Sequence, residues 1–147
     1  MNVRSLPMIV AFAAILSACT TTHSSAVSTT GAPAALGPYS QGISSGNLLF
    51  LSGQIPIDPA TGQVVGANID EQTKRVMDNL SAVLAANGMT MANIVSTTVY
   101  LRDLNDFTAM NKLYGTYFST NPPARATVQV ARLPKDVAVE ISAIAAK

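Results

Sequence analysis

The order of helical and strand-like segments limits the possible folds of this sequence more than any other feature. Two segments, about 70–87 and 105–118, repeat apolar residues at helical spacing, and β-branched or aromatic runs surround them. The resulting order is β-β-α-β-α-β-β. Two amphipathic helices in a domain of this size can cover only one face of one mixed sheet. We therefore expect an α+β fold, and the use made of the other sheet face decides what the protein does.

Turn and cap residues set the expected boundaries. A turn containing Gly46 joins two predicted strands, Gln41–Ser44 and Leu48–Ile55. Asn68 or Asp70 is expected to cap the first helix and Gly88 to end it, and Asn105 is expected to cap the second helix. Three later strands are predicted at Ile94–Leu101, Arg125–Ala131 and Val137–Ala145.

The last two predicted strands are expected to form an antiparallel hairpin. That register places Thr127 opposite Glu140 and Arg125 opposite Ser142, with their apolar neighbours under the helices. A face with so few charges suits a surface that self-association buries around a small polar cleft. An ordinary exposed face with a diagonal ion pair is the alternative, and the pattern does not separate the two. The expected polar set is Arg125, Thr127, Gln129, Ala138, Glu140 and Ser142.

The N-terminus has the pattern of a secretory signal. Arg4 precedes an apolar run, Leu6–Leu16, that is shorter than the about 20 residues a spanning helix needs. Leu16-Ser17-Ala18-Cys19 follows and resembles a lipobox, in which the cysteine thiol takes the lipid. We predict a lipoprotein signal peptide at 1–18, a flexible tether at 19–35 that starts with lipidated Cys19, and a folded domain at 36–147. A generic signal peptide or a buried apolar helix containing a cysteine is the alternative.

This processing would place the domain on the periplasmic side, attached to the membrane only through its lipid. Thr20 follows Cys19 where an aspartate would favour retention at the inner membrane, so resemblance to bacterial lipoproteins weakly favours the outer membrane. Residues 20–35 contain Thr, Ser, Ala, Gly and Pro without Lys, Arg, Asp or Glu, a composition typical of a flexible segment.

Composition excludes several kinds of chemistry from the predicted domain. Cys19 is the only cysteine and His23 the only histidine, and both precede residue 36. We therefore expect no metal site, no cofactor and no thiol or histidine catalysis. Removal of Arg4 with the signal leaves eight Lys or Arg against eight Asp or Glu, without a basic stripe, so we expect no nucleic-acid partner.

Several short motifs occur in a characteristic order. They are Gly37-Pro38-Tyr39-Ser40-Gln41-Gly42, Ser52-Gly53-Gln54-Ile55-Pro56, Pro123-Ala124-Arg125-Ala126-Thr127-Val128 with Arg132-Leu133-Pro134-Lys135 and Val139-Glu140-Ile141, and more weakly Asp103-Leu104-Asn105-Asp106-Phe107. Together they resemble the RidA/YjgF family over nearly all of 32–147. The resemblance implies a chorismate-mutase-like homotrimer whose sheets face inward as a barrel, with helices outside and ligand clefts between subunits.

The same resemblance implies an activity. A chain of this kind would be a 2-iminobutanoate/2-iminopropanoate deaminase-type hydrolase, which converts reactive enamines and imines of amino acids to 2-oxo acids and ammonia. It would be an enzyme that works without metal or cofactor. A non-catalytic trimeric module of the same fold, which binds small carboxylates or acts as a holdase or interaction partner, is the alternative.

Arg125 and Glu140 are the predicted catalytic residues. A guanidinium can bind the substrate carboxylate through two parallel hydrogen bonds, and this is the role that the resemblance implies for Arg125. Glu140 would activate the attacking water or carry protons to the departing ammonia. The alternative for both residues is a structural ion pair with each other.

Four further residues are predicted to bind substrate. Tyr39 would offer its ring as a wall and its hydroxyl as a donor, and Ser52 would add a second hydroxyl. Thr127 stands where relatives often carry cysteine, so we expect it to position substrate. Asn105 matches a position tied to the site, although its capping role explains it equally well. Residues 119–122 form a shorter loop than in many relatives, which leaves the preferred substrate size open.

Overall fold

The computed structural model describes residues 23–118 and 120–147. The predicted signal peptide and Cys19 lie outside the described residues. Within those residues, no helix has both the length and the apolar character needed to cross a membrane. The strands are β1 Ser24–Val27, β2 Gly42–Ser45, β3 Leu48–Gln54, β4 Ile94–Leu101, β5 Ala124–Gln129 and β6 Val139–Ala146, and the helices are α1 Ile69–Ala86 and α2 Phe107–Gly115.

All six strands form one mixed sheet with the order β1-β2-β3-β6-β4-β5. Neighbouring strands are antiparallel except β4 and β5, which are parallel. Both helices pack on one face of this sheet, so the expected α+β architecture is confirmed. The largest fully buried side chains are Leu49, Met77, Leu80, Leu84, Leu101, Met110, Ile141, Val76, Val83, Val99, Val137 and Val139.

The predicted hairpin between the last two strands is wrong. β6 lies between β3 and β4, whereas β5 lies at the sheet edge and pairs only with β4. The short spacing between β5 and β6 suggested a hairpin, but the chain crosses over the end of β4 instead. β6 pairs with β4 because β4 is more apolar than β5. The central position of β4 in the sheet buries Val99 and Leu101 completely.

This topology reverses the expected faces of β5. Thr97 on β4 stands opposite both Arg125 on β5 and Ala143 on β6. Thr97 and Ala143 are buried on the helix side of the sheet, so Arg125 also points to that side. Glu140 has the opposite parity on β6 and points away from the helices. The predicted common face for Arg125, Thr127 and Glu140 is therefore wrong, because strand alternation follows β4 and not the assumed hairpin.

The predicted tether is also wrong for residues 24–35. Ser24–Val27 forms β1 and pairs with β2 in antiparallel register, and Val27 and Ala32 are buried. The Ser, Thr and Ala composition of this segment is typical of a flexible chain. Its structure depends on a partner strand and on contacts from distant residues, which composition does not reveal.

The expected cap and end residues are confirmed for α1, but the expected cap of α2 is wrong. Asn68 caps α1 by accepting a hydrogen bond from Glu71 N–H at 3.0 Å, and Gly88 follows the helix with φ 67°, as expected. Asn105 is not a cap. Asp103 accepts a hydrogen bond from Asn105 N–H at 2.9 Å, which stabilises a 3₁₀ turn before α2.

The buried amide of Gln41 holds the segment that follows β1. Its Nε2 donates to the carbonyls of Thr29, Ala32 and Pro33 at 3.0, 3.1 and 2.7 Å, and its Oε1 accepts from Thr29 N–H. Because one side chain satisfies backbone groups over five residues, it fixes the path of the chain up to the Tyr39 motif.

We expect Gln41→Ala to lower the free energy of unfolding by about 1–3 kcal/mol, because it leaves part-buried backbone groups without partners. Urea unfolding measures the change, and limited proteolysis should show faster cleavage between residues 28 and 35. Gln63→Ala, at an exposed loop position, is the matched control. Equal stability and equal cleavage of the two variants would contradict this role.

Candidate functional site

A cleft of about 420 Å³ brings three of the predicted site residues together. It lies between the segment before β2, the end of β3 and the start of β6. Tyr39, Ser52 and Glu140 line it, with Pro134 from the turn before β6. We call this cleft the acid cleft, and its full lining is Leu36, Tyr39, Ser52, Gly53, Ile55, Pro134 and Glu140.

Glu140 is the ionisable centre of the acid cleft. Its side chain is half-buried on the sheet face away from the helices, directly across from Tyr100 on β4. Burial raises the pKa of the Glu140 carboxyl above its ordinary value, since desolvation disfavours the charged form. Within the described residues no hydrogen bond to this carboxylate is found. A carboxyl of this kind can accept a proton near neutral pH more readily than an exposed glutamate.

Gly53 makes room for Glu140. The register of β3 against β6 shifts between Leu51 and Gln54, so Ser52 and Gly53 together oppose the single residue Ser142. This is a β-bulge, a feature that often re-aims side chains beside functional sites. A Cβ at position 53 would lie 2.9 Å from Glu140 Cδ. The glycine of the Ser52-Gly53 motif is thus required by the close approach of the carboxylate.

Tyr39 and Ser52 occupy the cleft in more specific roles than the sequence indicated. The Tyr39 ring is half exposed, and its hydroxyl accepts a hydrogen bond from Leu36 N–H at 3.2 Å. Ser52 Oγ donates to the carbonyl of Ser40 at 2.6 Å, and Ser52 N–H donates to the carbonyl of Gln41 at 3.1 Å. Ser52 therefore fixes the Tyr39 segment against β3, and its hydroxyl can only accept a hydrogen bond from a ligand.

Arg125 lies elsewhere, at the edge of the sheet beside α2. Its Nη2 donates to Asn111 Oδ1 at 2.7 Å, and the guanidinium carbon lies 4.7 Å from the Tyr114 ring centroid and 5.7 Å from that of Phe107. Stacking and this single hydrogen bond fix the plane of the guanidinium. Arginine has five N–H donors, so the remaining ones can bind a carboxylate in parallel.

Asn111 is a site residue that the sequence analysis missed. The signal was present, because residues 107, 111 and 114 follow one stripe of α2 at helical spacing. Thr127 lies two residues after Arg125 on the same strand face, and its Oγ1 is buried without a hydrogen-bond partner in the described part of the chain. We call Asn111, Arg125 and Thr127 the arginine edge.

Asn105 is not part of either group. Its side chain is exposed on the 3₁₀ turn before α2 and does not line the acid cleft. The turn uses only the backbone N–H of Asn105, which donates to Asp103, so the structure does not explain the asparagine side chain of the motif.

Each chain thus presents the acid cleft and the arginine edge on opposite sides of its sheet. A structural ion pair between Arg125 and Glu140 of the same chain, one alternative raised by the sequence, is wrong. In residues 23–118 and 120–147 there is no cluster of three His, Cys, Asp or Glu side chains that could hold a metal ion. A larger cleft of about 580 Å³ lies beside residues 26–35, and its lining contains no acidic or basic side chain within the described chain.

Comparison with known proteins agrees with the fold. The model of the family described as endoribonuclease L-PSP matches residues 29–147. The 2-iminobutanoate/2-iminopropanoate deaminase of Escherichia coli K12 is 46% identical over 127 residues, which cover 84% of this chain and 98% of that protein. A RutC family protein, PH0854 of Pyrococcus horikoshii, is 52% identical over 119 residues, covering 81% of this chain and 94% of that protein.

A solved structure, E. coli TdcF with bound serine, has a TM-score of 0.81 and 42% identity. It covers 84% of this chain and 98% of TdcF. The residues that the family model matches include strands β2 to β6, both helices, the acid cleft and the arginine edge, whereas β1 precedes them. The chain therefore belongs to the RidA/YjgF family, whose family model carries the description endoribonuclease L-PSP.

Proposed function

We propose that this protein hydrolyses 2-imino acids to 2-oxo acids and ammonia in a site that two copies of the chain build together. One observation carries the proposal: an arginine whose guanidinium plane is fixed and a half-buried glutamate of raised pKa lie on opposite sides of one sheet. Two relatives support it. One bears the name 2-iminobutanoate/2-iminopropanoate deaminase, and the other holds serine, which, like the proposed substrate, carries a carboxylate beside a nitrogen-bearing carbon.

The chemistry needs few groups because an imine carbon is already electrophilic. Arg125 binds the carboxylate through parallel hydrogen bonds and fixes the plane of the C=N bond. Glu140 takes a proton from water as the oxygen adds to the imine carbon, and this forms a carbinolamine. Glu140 returns this proton to the nitrogen, and transfer of the carbinolamine hydroxyl proton to the nitrogen then lets ammonia leave as the C=O bond forms. The enzyme then supplies mainly orientation and proton handling, which these two side chains and the acid cleft can provide.

Self-association accounts for the sheet face that the helices leave open. Ile43 and Phe50 are paired neighbours on this face, exposed by 37% and 44%, and Val128 on β5 is exposed by 42%. Glu140 is the only charged residue that the described strands place on it. We propose that further copies cover this face in a homotrimer. Each neighbour then brings its arginine edge to an acid cleft.

Two other functions are less well supported. A non-catalytic carboxylate binder would use the same Arg125 but gives no reason for the desolvated Glu140. Ribonuclease activity is named in the family description, yet the described residues carry eight basic and eight acidic side chains without a basic stripe. We therefore place imine hydrolysis first.

A test of the shared site uses two inactive variants. We expect Arg125→Ala to lose carboxylate binding and Glu140→Gln to lose proton transfer, so each alone is deficient in clearing 2-iminopropanoate produced by an amino-acid oxidase. Random co-assembly should restore about one quarter of the wild-type rate, because one in four clefts then combines two unaltered halves. Arg75→Ala on α1 is the control and should stay active.

The wild-type rate judges the function, the rate of Arg125→Ala alone judges the role of Arg125, and the mixture judges the shared site. Absence of hydrolysis by the wild-type protein would rule out the proposed function, and a wild-type rate in Arg125→Ala would rule out the carboxylate-binding role of Arg125. A mixture that stays as inactive as its components would show that each site lies within one chain.

Glu140 should also make stability depend on pH. Its raised pKa means that the folded state binds the proton more tightly than the unfolded state. Its contribution to stability is therefore present below the ordinary glutamate pKa and is lost as pH rises through the raised value. We expect the Tm of Glu140→Gln, relative to wild type, to increase as pH rises from the ordinary glutamate pKa through the raised value and then to level off. A difference that stays constant over this range would contradict the burial of the carboxyl.

We further propose that the chain is a lipoprotein on the periplasmic side, anchored at Cys19. The lipobox-like Leu16-Ser17-Ala18-Cys19 supports this. Because β1 begins at Ser24, at most about 18 Å of extended chain would separate the lipidated residue from the domain. The membrane fraction of cells that express the full chain should contain the protein, whereas Cys19→Ser should release it. Equal partitioning of both proteins would contradict the anchor.

A further inference from the structure

A strained turn precedes β6. Lys135 and Asp136 are consecutive residues with φ of 57° and 56°, in the left-handed region that side chains with a Cβ seldom adopt. Pro134 opens the turn, and Asp136 N–H donates to the carbonyl of Leu133 at 3.1 Å. Two such residues in succession are unfavourable unless other contacts hold them, and strain of this kind often lies at functional sites.

Two arginines hold this turn in place. Arg132 binds the Asp136 carboxylate in bidentate geometry, with Nε–Oδ1 at 2.6 Å and Nη2–Oδ2 at 2.9 Å. Arg102, just after β4, donates from Nη1 to the Asp136 carbonyl at 2.8 Å. Arg102 N–H also donates to the carbonyl of Ala138 at 2.9 Å. Arg132, in the same loop, therefore fixes the side chain of Asp136, and Arg102, just after the central strand β4, fixes its backbone.

Stability alone does not explain the Arg132–Asp136 pair. The two side chains are 78% and 61% exposed, and exposed ion pairs contribute little to folding. The turn does have a second effect, because Pro134 lines the acid cleft and also a cleft of about 360 Å³ that Glu140 lines as well. The same turn leads within four residues to Glu140 itself.

We infer that the Arg132–Asp136 ion pair is a positioning element for Glu140: it holds the left-handed turn so that Pro134 forms a fixed wall beside the carboxylate. The inference rests on the proposed function for its catalytic consequence. Arg132 and Asp136 are positioning residues, and Pro134 is the group through which they act. Loss of the pair lets the turn leave its strained conformation, so Pro134 moves and the surroundings of Glu140 change.

A matched pair of substitutions at one position tests this. Asp136→Ala and Asp136→Gly both remove the carboxylate and the ion pair, but only glycine adopts the left-handed conformation without a Cβ clash. We expect Asp136→Ala to lower kcat for 2-iminopropanoate hydrolysis about three- to tenfold. Asp136→Gly should retain most of the rate, and KM should change little in both because Arg125 is untouched. Equal losses in the two variants, or wild-type rates in both, would overturn the inference.

A second readout does not depend on activity. NMR titration of the Glu140 carboxyl should give a changed pKa in Asp136→Ala and a value near the wild-type one in Asp136→Gly, although both variants lack the same charge. If the wild-type protein hydrolyses no imine, the proposed function fails and this titration still decides the positioning role. The same pKa in the two variants would then overturn it.

Discussion

The pairing of β4 with both β5 and β6 is the constraint on which the rest of the structure depends. β4 lies inside the sheet, where Ile94, Val99 and Leu101 are buried, and there it separates two strands that are neighbours in sequence. Arg125 and Glu140 consequently point to opposite sheet faces. One chain cannot bring them to one substrate, so the proposed chemistry and the proposed assembly follow from the same hydrogen-bond ladder.

The two half-sites are built by different means. Glu140 lies against Gly53 at a β-bulge, and burial raises the pKa of its carboxyl. Arg125 is held by aromatic stacking and by Asn111 on α2, so its plane is set before a ligand arrives. In the proposed hydrolysis, the preorganised Arg125 and Glu140 would mainly orient the substrate and handle protons, because an imine needs orientation more than activation.

Much of the fold could be predicted from the sequence. Periodicity and turn residues predicted the first helix and all five expected strands to within two residues, whereas the second helix ends at Gly115, three residues earlier than expected. Motif residues identified Tyr39, Ser52 and Glu140 as neighbours. The partner of β5 could not be predicted, because alternation within a strand does not state which strand lies beside it. β1 was missed because its residues have weak strand propensity and pairing with β2 overrides that propensity. Asn111 was missed because a polar residue on a helix usually indicates a solvent-exposed position.

The most direct measurement is a crystal structure with a bound 2-oxo acid such as 2-oxobutanoate, the product of the proposed reaction. We expect Arg125 of one copy to bind the ligand carboxylate while the 2-oxo carbon faces Glu140 of a neighbouring copy. A ligand held by Arg125 alone, with its 2-oxo carbon facing solvent and no second chain beside it, would contradict the shared site.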